Sequence, residues 1–208
     1  MNRMIADGLM NRHQRPIFVG GVHGVGKTTL SRCVAKLLGA EHVTAGDLIR
    51  SVAAESHIAS QAVEGKAVLN VDANQDRLLR GLDAYRADRR HAHAQSSRLI
   101  LDGHFCLLDT AEQIREIPFA VFDAIQPIAV LLVEAKPETI ARRLVTRDGS
   151  AFTIETLRTL TVLEHAHAVF VASRLQVPLY RASGDEDVES TSRLVAEQLS
   201  HHLASEAD

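Results

Sequence analysis

Pro16 to Cys33 read PIFVGGVHGVGKTTLSRC, a short apolar run that breaks into glycines and ends in Lys-Thr-Thr. Within it, Gly21-Val22-His23-Gly24-Val25-Gly26-Lys27-Thr28 matches the spacing G-x-x-x-x-G-K-[ST] of a phosphate-binding P-loop. Glycines at these spacings let the backbone bend around an anion with its N–H groups turned inward, where a Cβ would crowd the phosphate. A helix starting at about Lys27 adds the positive end of its dipole to the same spot. In such a loop Lys27 reaches the β- and γ-phosphates and the Thr28 hydroxyl ligates Mg²⁺. Gly21, Gly24, Val25, Gly26, Lys27, Thr28 and Thr29 are the candidate residues for the triphosphate. The flanks agree. Ile17-Phe18-Val19 reads as a buried strand before the loop, and Leu30, Val34, Leu37 and Leu38 form a helical stripe after it.

Working outward, 208 residues suffice for one sizeable core, and a hydrophobic share of 46% excludes wholesale disorder. A formal charge of -3 argues against a broad basic surface, so nucleic acid is not an expected partner. Cys33 and Cys106 form neither a disulfide framework nor a metal-spacing pattern; they read as small buried hydrophobes and fit a reducing, cytoplasmic setting. No apolar run approaches the roughly 20 residues that span a bilayer. Residues 1–15 lack the uninterrupted apolar core of a signal peptide and read as a flexible arm. Eleven histidines invite a metal site, but their spacing argues against one. His165 and His167 stand two apart on a helical pattern and point in different directions. His91 and His93 fall in the loop-like RRHAHAQSS, and His201 and His202 lie near the C-terminal end. All read as solvated surface histidines.

Short β-rich runs alternate with long helical patterns, the signature of a parallel sheet. EHVT, Glu41–Thr44, is a second strand that runs into AGDLIR, Ala45–Arg50. Residues 51–89 carry almost no strand signal and read as a helical excursion divided by Gly65 and VLNVDANQ, with Asp72 or Asn74 as N-cap of the helix holding Leu78, Leu79 and Leu82. RLILDGH contains a buried strand, Leu99-Ile100-Leu101, ending in an acid. IAVLLVEA, Ile128–Ala135, is the strongest strand, and its unbroken apolar character suits a central position covered on both faces. Pro137 opens the next helix, and a further helical pattern covers residue 153 to about 174. VPLYRAS is a last strand, followed by an amphipathic helix with Val188, Leu194, Val195 and Leu199 near one face. The expected fold class is α/β, a three-layer α/β/α sandwich of the P-loop NTPase kind with a five-stranded parallel sheet. Its crossovers should be right-handed and its ligands should sit at the carboxyl ends of the strands.

A triphosphate site needs a carboxylate near the metal as well as the P-loop hydroxyl. Asp102, at the end of the third strand, stands where that acid belongs, since an apolar strand delivers it beside the P-loop. The Asp-Gly pair is also an ordinary turn signal.

With these residues in view, the chain from residue 16 to about 200 resembles the adenylate kinase-like nucleoside monophosphate kinases, in the short-lid, archaeal-type form. TAGDLIR looks like the family's S-T-G-D-x-[LI]-R, EGKAVLNVD is similar to its x-G-K-x-V-x-x-D, and LILDGH is similar both to its L-L-D-G and to the Asp-x-His of archaeal members. PETIARRLVTRD fits the arginine segment that follows the fourth strand. The resemblance implies ATP as donor, Mg²⁺ held by Thr28 and Asp102, and a small-molecule acceptor. It implies that Arg50 pairs with the acceptor phosphate, through a guanidinium fork that Lys cannot reproduce. Asp47 either holds water on the magnesium ion or caps its helix. Arg143 and Arg147, four apart on one helical face, would contact the donor base and phosphates and serve catalysis with Lys27 and Asp102, with Arg142 as a less favoured neighbour. His104 either faces the acceptor phosphate or fixes the turn. Residues 16–208 then form one kinase-like domain, with 51–97 as the helical acceptor arm, closing over the acceptor through 51–89, and 147–157 as a short lid.

Departures narrow that reading. The long arginine-rich lid is missing, Leu160 or Phe170 stands where another phosphate-binding arginine is expected, and D-G-F-P-R is Asp102-Gly103-His104-Phe105-Cys106 here. The leading expectation is phosphoryl transfer from ATP to a nucleoside monophosphate. A metabolite or nucleoside hydroxyl as acceptor, and an ATPase switch acting on a protein partner, stay open.

Overall fold

The computed structural model describes residues 15–55, 67–68, 71–91, 98–109, 113–149 and 152–205. The expected arm before Arg15, Gly65, His93 and the middle of the expected lid at 150–151 lie outside the described residues. In chain order the elements are β1 (Ile17–Gly20), α1 (Lys27–Leu38), β2 (Glu41–Thr44), α2 (Ala45–Glu55), β3 (Ala67–Val68), α3 (Val71–His91) and β4 (Leu99–Asp102). They continue with β5 (Cys106–Asp109), β6 (Ile114–Glu116), α4 (Phe119–Ile125), β7 (Ala129–Glu134), α5 (Pro137–Asp148), α6 (Ile154–Leu175), β8 (Leu179–Ser183) and α7 (Val188–Ser205). Five strands form one parallel sheet in the order β2-β4-β1-β7-β8. Phe18 sits opposite Leu101 on one side and Val130 on the other, which makes β1 central.

Strand periodicity explains the layers. Along β1, Ile17 and Val19 enter one core and Phe18 the other; along β7, Ala129, Leu131 and Val133 alternate with Val130 and Leu132 in the same way. None of these side chains is more than 2% exposed. Burial on both faces requires apolar residues at consecutive positions, which is why these strands read as unbroken runs. Each large side chain so buried contributes about 1.5–3 kcal/mol. α1 and α7 cover one face through Leu30, Val34, Val195 and Leu199, and α2, α3 and α4 cover the other through Leu48, Leu78, Leu82 and Phe122. α6 feeds both cores, Leu157 and Leu160 joining the first and Ala168 and Val171 the second.

Several expectations are corrected. Leu37, Val188 and Leu194 are exposed, so the buried stripes of α1 and α7 are narrower than read. α3 begins at Val71, which puts Asp72 and Asn74 inside its first turn, and it extends to His91, so that residue is helical and not in a loop. A second sheet, β3-β5-β6, was not expected, because strands of two to four residues leave too short a pattern to recognise. Among the histidines, His167 is not on the surface: it is 6% exposed, its Nε2 lies 2.7 Å from the Ile117 carbonyl, and its ring stacks on Phe170. Cys106 is buried as read, and Cys33 is half-buried; both are free. No helix among the described residues is long and apolar enough to cross a membrane.

The second half of α3 is tied down. Tyr85 Oη donates to the Glu41 carboxylate on β2, Arg89 pairs with the same carboxylate at 3.2 Å, and the buried Arg86 donates from Nη2 to the Ile125 carbonyl ending α4 at 2.7 Å. The backbones of α2 and α3 approach closely at Gly81, where an added Cβ would come within 2.5 Å of the Leu48 carbonyl oxygen. Gly81→Ala is therefore expected to force α2 away and cost about 1–3 kcal/mol, measured by urea unfolding. An unchanged midpoint would mean that the two helices are not held at this separation.

Candidate functional site

The P-loop is shaped to take an anion. Gly26 precedes α1 at φ +104, a conformation other residues rarely adopt, and brings no side-chain cap to the helix. The first turn of α1 carries no acid of its own to use up the positive end of the helix. Gly24, Gly26, Lys27, Thr28 and Thr29 line one cavity of about 1020 Å³. Gly21 and Val25 are buried beneath it.

At the base of the loop the groups read from sequence come together. Thr28 Oγ1 donates to Asp102 Oδ2 at 2.6 Å, and Lys27 Nζ lies 3.8 Å from Asp102 Oδ1 and 3.2 Å from His104 Nε2. Strand pairing causes this, because β4 runs beside β1 and ends in Asp102 opposite Val19. Burial lowers the Lys27 ammonium below its ordinary range, with Asp102 and Glu164 pulling it back up and Arg147 lowering it further. Burial pushes the Asp102 carboxyl up, but His42, 3.6 Å away, together with Lys27 and Thr28, outweighs it and holds the group below the usual carboxylate range. Burial first, then the charges of Lys27 and His23, keep His104 well below ordinary histidine, so it is neutral and accepts from the Lys27 ammonium. Its ring packs on His23 with centroids 4.0 Å apart.

Two residues hold this arrangement from outside. Arg143 donates from Nη1 to the Val25 carbonyl at 2.8 Å and from Nη2 to the Gly184 carbonyl at 2.7 Å, joining the crest of the P-loop to the β8–α7 connection. Its fork is thus spent on main chain. Arg142 and Arg147 line the cavity alongside it. Glu164 of α6, 1% exposed, accepts from the backbone N–H of Gly21 at 2.8 Å and Phe105 at 3.0 Å through Oε1, and from that of Cys106 at 2.5 Å through Oε2. Burial pushes its carboxyl up to about 7, against the opposing pull of those three bonds and of Lys27. Sequence reasoning missed Glu164, although a signal was there. It stands at helical spacing with Leu157, Leu160, Ala168 and Val171, an acid inside a buried stripe.

The far end of the cavity differs in character. Arg50 lines it and is itself 68% exposed, with Nη2 on Asp47 Oδ1 at 2.5 Å. Asp47 is placed for that role by Thr44, whose Oγ1 donates to Asp47 Oδ2 at 2.7 Å and accepts the Asp47 N–H at 3.0 Å. Thr44 is therefore the helix cap and Asp47 sits in the first turn. The bond from Thr44 is the largest cause holding the Asp47 carboxyl below its ordinary value, with Arg50 adding to it. Asn74 and the buried Gln75 share this end with Ile49, Leu78, Leu107 and Val121. Gln75 was not read as a site residue; its place in the stripe with Leu78 and Leu82 is the sequence signal for it.

Among the described residues no three His, Cys, Asp or Glu side chains converge as a metal cluster. Mg²⁺ asks for less, since it keeps several waters and is held by one or two protein oxygens plus phosphates. The Thr28 hydroxyl and Asp102 carboxylate, facing one cavity 2.6 Å apart, fit that demand.

A family model described as an AAA domain matches residues 20–161. The adenylate kinase of Methanopyrus kandleri is 30% identical over 130 residues, 62% of this chain and 65% of that protein. Cytidylate kinases of Methanococcus maripaludis strains C7 and C5 are each 33% identical over 88 residues, 42% of this chain and 44% of theirs. The chain thus spans less than two thirds of the length of these curated relatives. Among solved structures, a gluconokinase from Sinorhizobium meliloti 1021 superposes with a TM-score of 0.53 at 14% identity, covering 95% of this chain and 99% of that one. A sugar kinase from Janibacter sp. HTCC2649 superposes with a TM-score of 0.55 at 20% identity, covering 89% and 94%. At these identities the two structures establish the fold alone.

The Glu164 carboxyl has a folded pKa above its ordinary 4.5, so the folded state holds the proton more tightly than the unfolded chain does. Its contribution is full below about pH 4.5 and falls by roughly 2–4 kcal/mol as pH rises to about 7. Urea unfolding of wild type and Glu164→Gln at pH 5 and pH 8 should show their stability difference shifting against wild type at the higher pH. A difference independent of pH would contradict the burial effect.

Proposed function

The chain belongs to this AAA-domain family of P-loop proteins, and from that premise we propose that it transfers the γ-phosphoryl group of ATP to a nucleoside monophosphate. One observation carries the reading: a single cavity of about 1020 Å³ joins an anion-binding loop to a second, largely apolar hollow with an arginine at its rim. That volume is at the upper end of what one ligand fills, and suits two ligands end to end. The apolar walls of Ile49, Leu78, Leu107 and Val121 suit the faces of a planar base, the amides of Asn74 and Gln75 suit its polar edge, and Arg50 suits the acceptor phosphate.

Lys27 would hold the β- and γ-phosphates, and Arg147 would add positive charge from α5. Thr28 and Asp102 would hold Mg²⁺, which when bound neutralises charge on the phosphates. An acceptor phosphate oxygen forms the new bond to the γ-phosphorus as the bond from that phosphorus to the β–γ bridging oxygen breaks, leaving ADP. Neutral His104 would keep Lys27 aimed without competing for it as a charge. Arg143, with its edge on carbonyls, is left a flat face on which a donor base would stack. Asp47 would act by orienting Arg50, a role its bonds to Thr44 and Arg50 support better than one at the metal. A hydroxyl acceptor is the second reading, favoured by the sugar kinases that share the fold; the apolar hollow weighs against a polyol.

A coupled assay across nucleoside monophosphates, with gluconate and other sugars as comparison, tests this. Monophosphate-dependent ADP formation is expected. Arg50→Ala should raise the acceptor KM about 10- to 100-fold, the loss of a charge-assisted bond pair, with the KM for ATP unchanged. ATP consumption indifferent to every monophosphate would overturn the reading, and a response to sugars alone would establish the second one.

A further inference from the structure

Glu164 takes no part in the chemistry just described, yet its one carboxylate bonds both loops flanking the triphosphate site. Gly21 opens the P-loop, and Phe105 and Cys106 follow directly on Asp102-Gly103-His104. One carboxylate, anchored on the 22-residue helix α6, therefore ties the backbone of the loop that bears Lys27 to that of the loop that bears His104. It adds to the Thr28–Asp102 and Lys27–His104 contacts by holding main chain, at Gly21 and Phe105, which lie outside the strands and give their N–H groups to the carboxylate. Above about pH 7, where Glu164 gives up its proton, its carboxylate is the matching group for three converging N–H donors, being acceptor-only at both oxygens. Its charge is also felt at Lys27, where together with Asp102 it offsets the cost of burying the ammonium.

We propose that Glu164 is a positioning residue for phosphoryl transfer, stapling the P-loop to the Asp102–Cys106 segment so that Lys27 and His104 meet the transferring phosphate in fixed register. Glutamine keeps one carbonyl oxygen for Gly21 and Phe105 but turns an N–H toward the Cys106 N–H and removes the charge. The staple is then half undone with almost no change of volume. The inference rests on the reading of the cavity as an ATP site.

The test has two arms. In wild type, hydrogen exchange followed by NMR should show the Gly21 and Phe105 amides protected at least about 100-fold over exposed loop amides, although neither lies in a helix or strand. In steady-state assays, or in intrinsic ATP hydrolysis if no acceptor is at hand, Glu164→Gln should lower kcat about 10- to 100-fold while the KM for Mg-ATP moves less than about threefold, as expected when reacting groups lose their register. Glu164→Asp, which keeps the charge but shortens the reach, should recover less than half of the loss. A folded Glu164→Gln with wild-type kcat, or Gly21 and Phe105 amides exchanging at exposed-loop rates, overturns the proposal. If the variant does not fold, the exchange result on wild type decides. Failure of wild type to bind Mg-ATP at all would instead defeat the underlying reading of the site.

Discussion

A lysine with 7% of its surface exposed is the constraint around which the site is built. Taking an ammonium out of water is costly unless opposite charge and hydrogen-bond partners go with it. Here Asp102 and the neutral ring of His104 meet Lys27 from one segment, and the charge of Glu164 reaches it from a second. Each has to be delivered by an element of the fold: Asp102 by β4, His104 by the turn after it, Glu164 by α6. The arrangement also leaves room for more negative charge, because the amide end of α1 opens on the same side. A cation held in this way attracts a phosphate without having to be desolvated when the ligand arrives.

Positioning of the loops follows the same economy. Glu164 holds the start of the P-loop by the Gly21 N–H, and Arg143 holds its crest by its carbonyls. A carboxylate and a guanidinium thus grip complementary edges of one backbone. The part of the cavity around Arg50 is organised differently, with apolar residues, two amides and one half-tethered arginine. Tyr85, Arg86 and Arg89 bind the second half of α3 to β2 and α4.

What could be read from the sequence divides along physical lines. β1, β4 and β7 were legible because burial on two faces leaves continuous apolar runs, and Lys27, Thr28 and Asp102 because their chemistry demands a particular spacing beside those strands. β5 and β6 were not, since three or four residues that alternate buried and partly buried, or lie mostly at the surface, carry little pattern. Helical spacing marks Glu164 and Gln75 as polar residues in buried stripes, but the partners of Glu164 and Arg143 are distant backbone groups that the fold brings near, and local spacing does not encode those. His167 was misread for a related reason: a histidine satisfied by a carbonyl and an aromatic stack looks, in sequence, like one at the surface. The helical stripes were drawn too wide at Leu37 and Leu194 because apolar spacing alone does not say where the neighbouring helix stops.

The account stands on the loop at Gly21–Thr28 binding a magnesium-complexed triphosphate through Lys27. Isothermal titration of Mg-ATP into the wild-type protein and into Lys27→Ala measures that most directly. Saturable heat with one site in wild type, weakened at least tenfold in the variant, is the result predicted. No binding in wild type, or equal binding in both proteins, would contradict it.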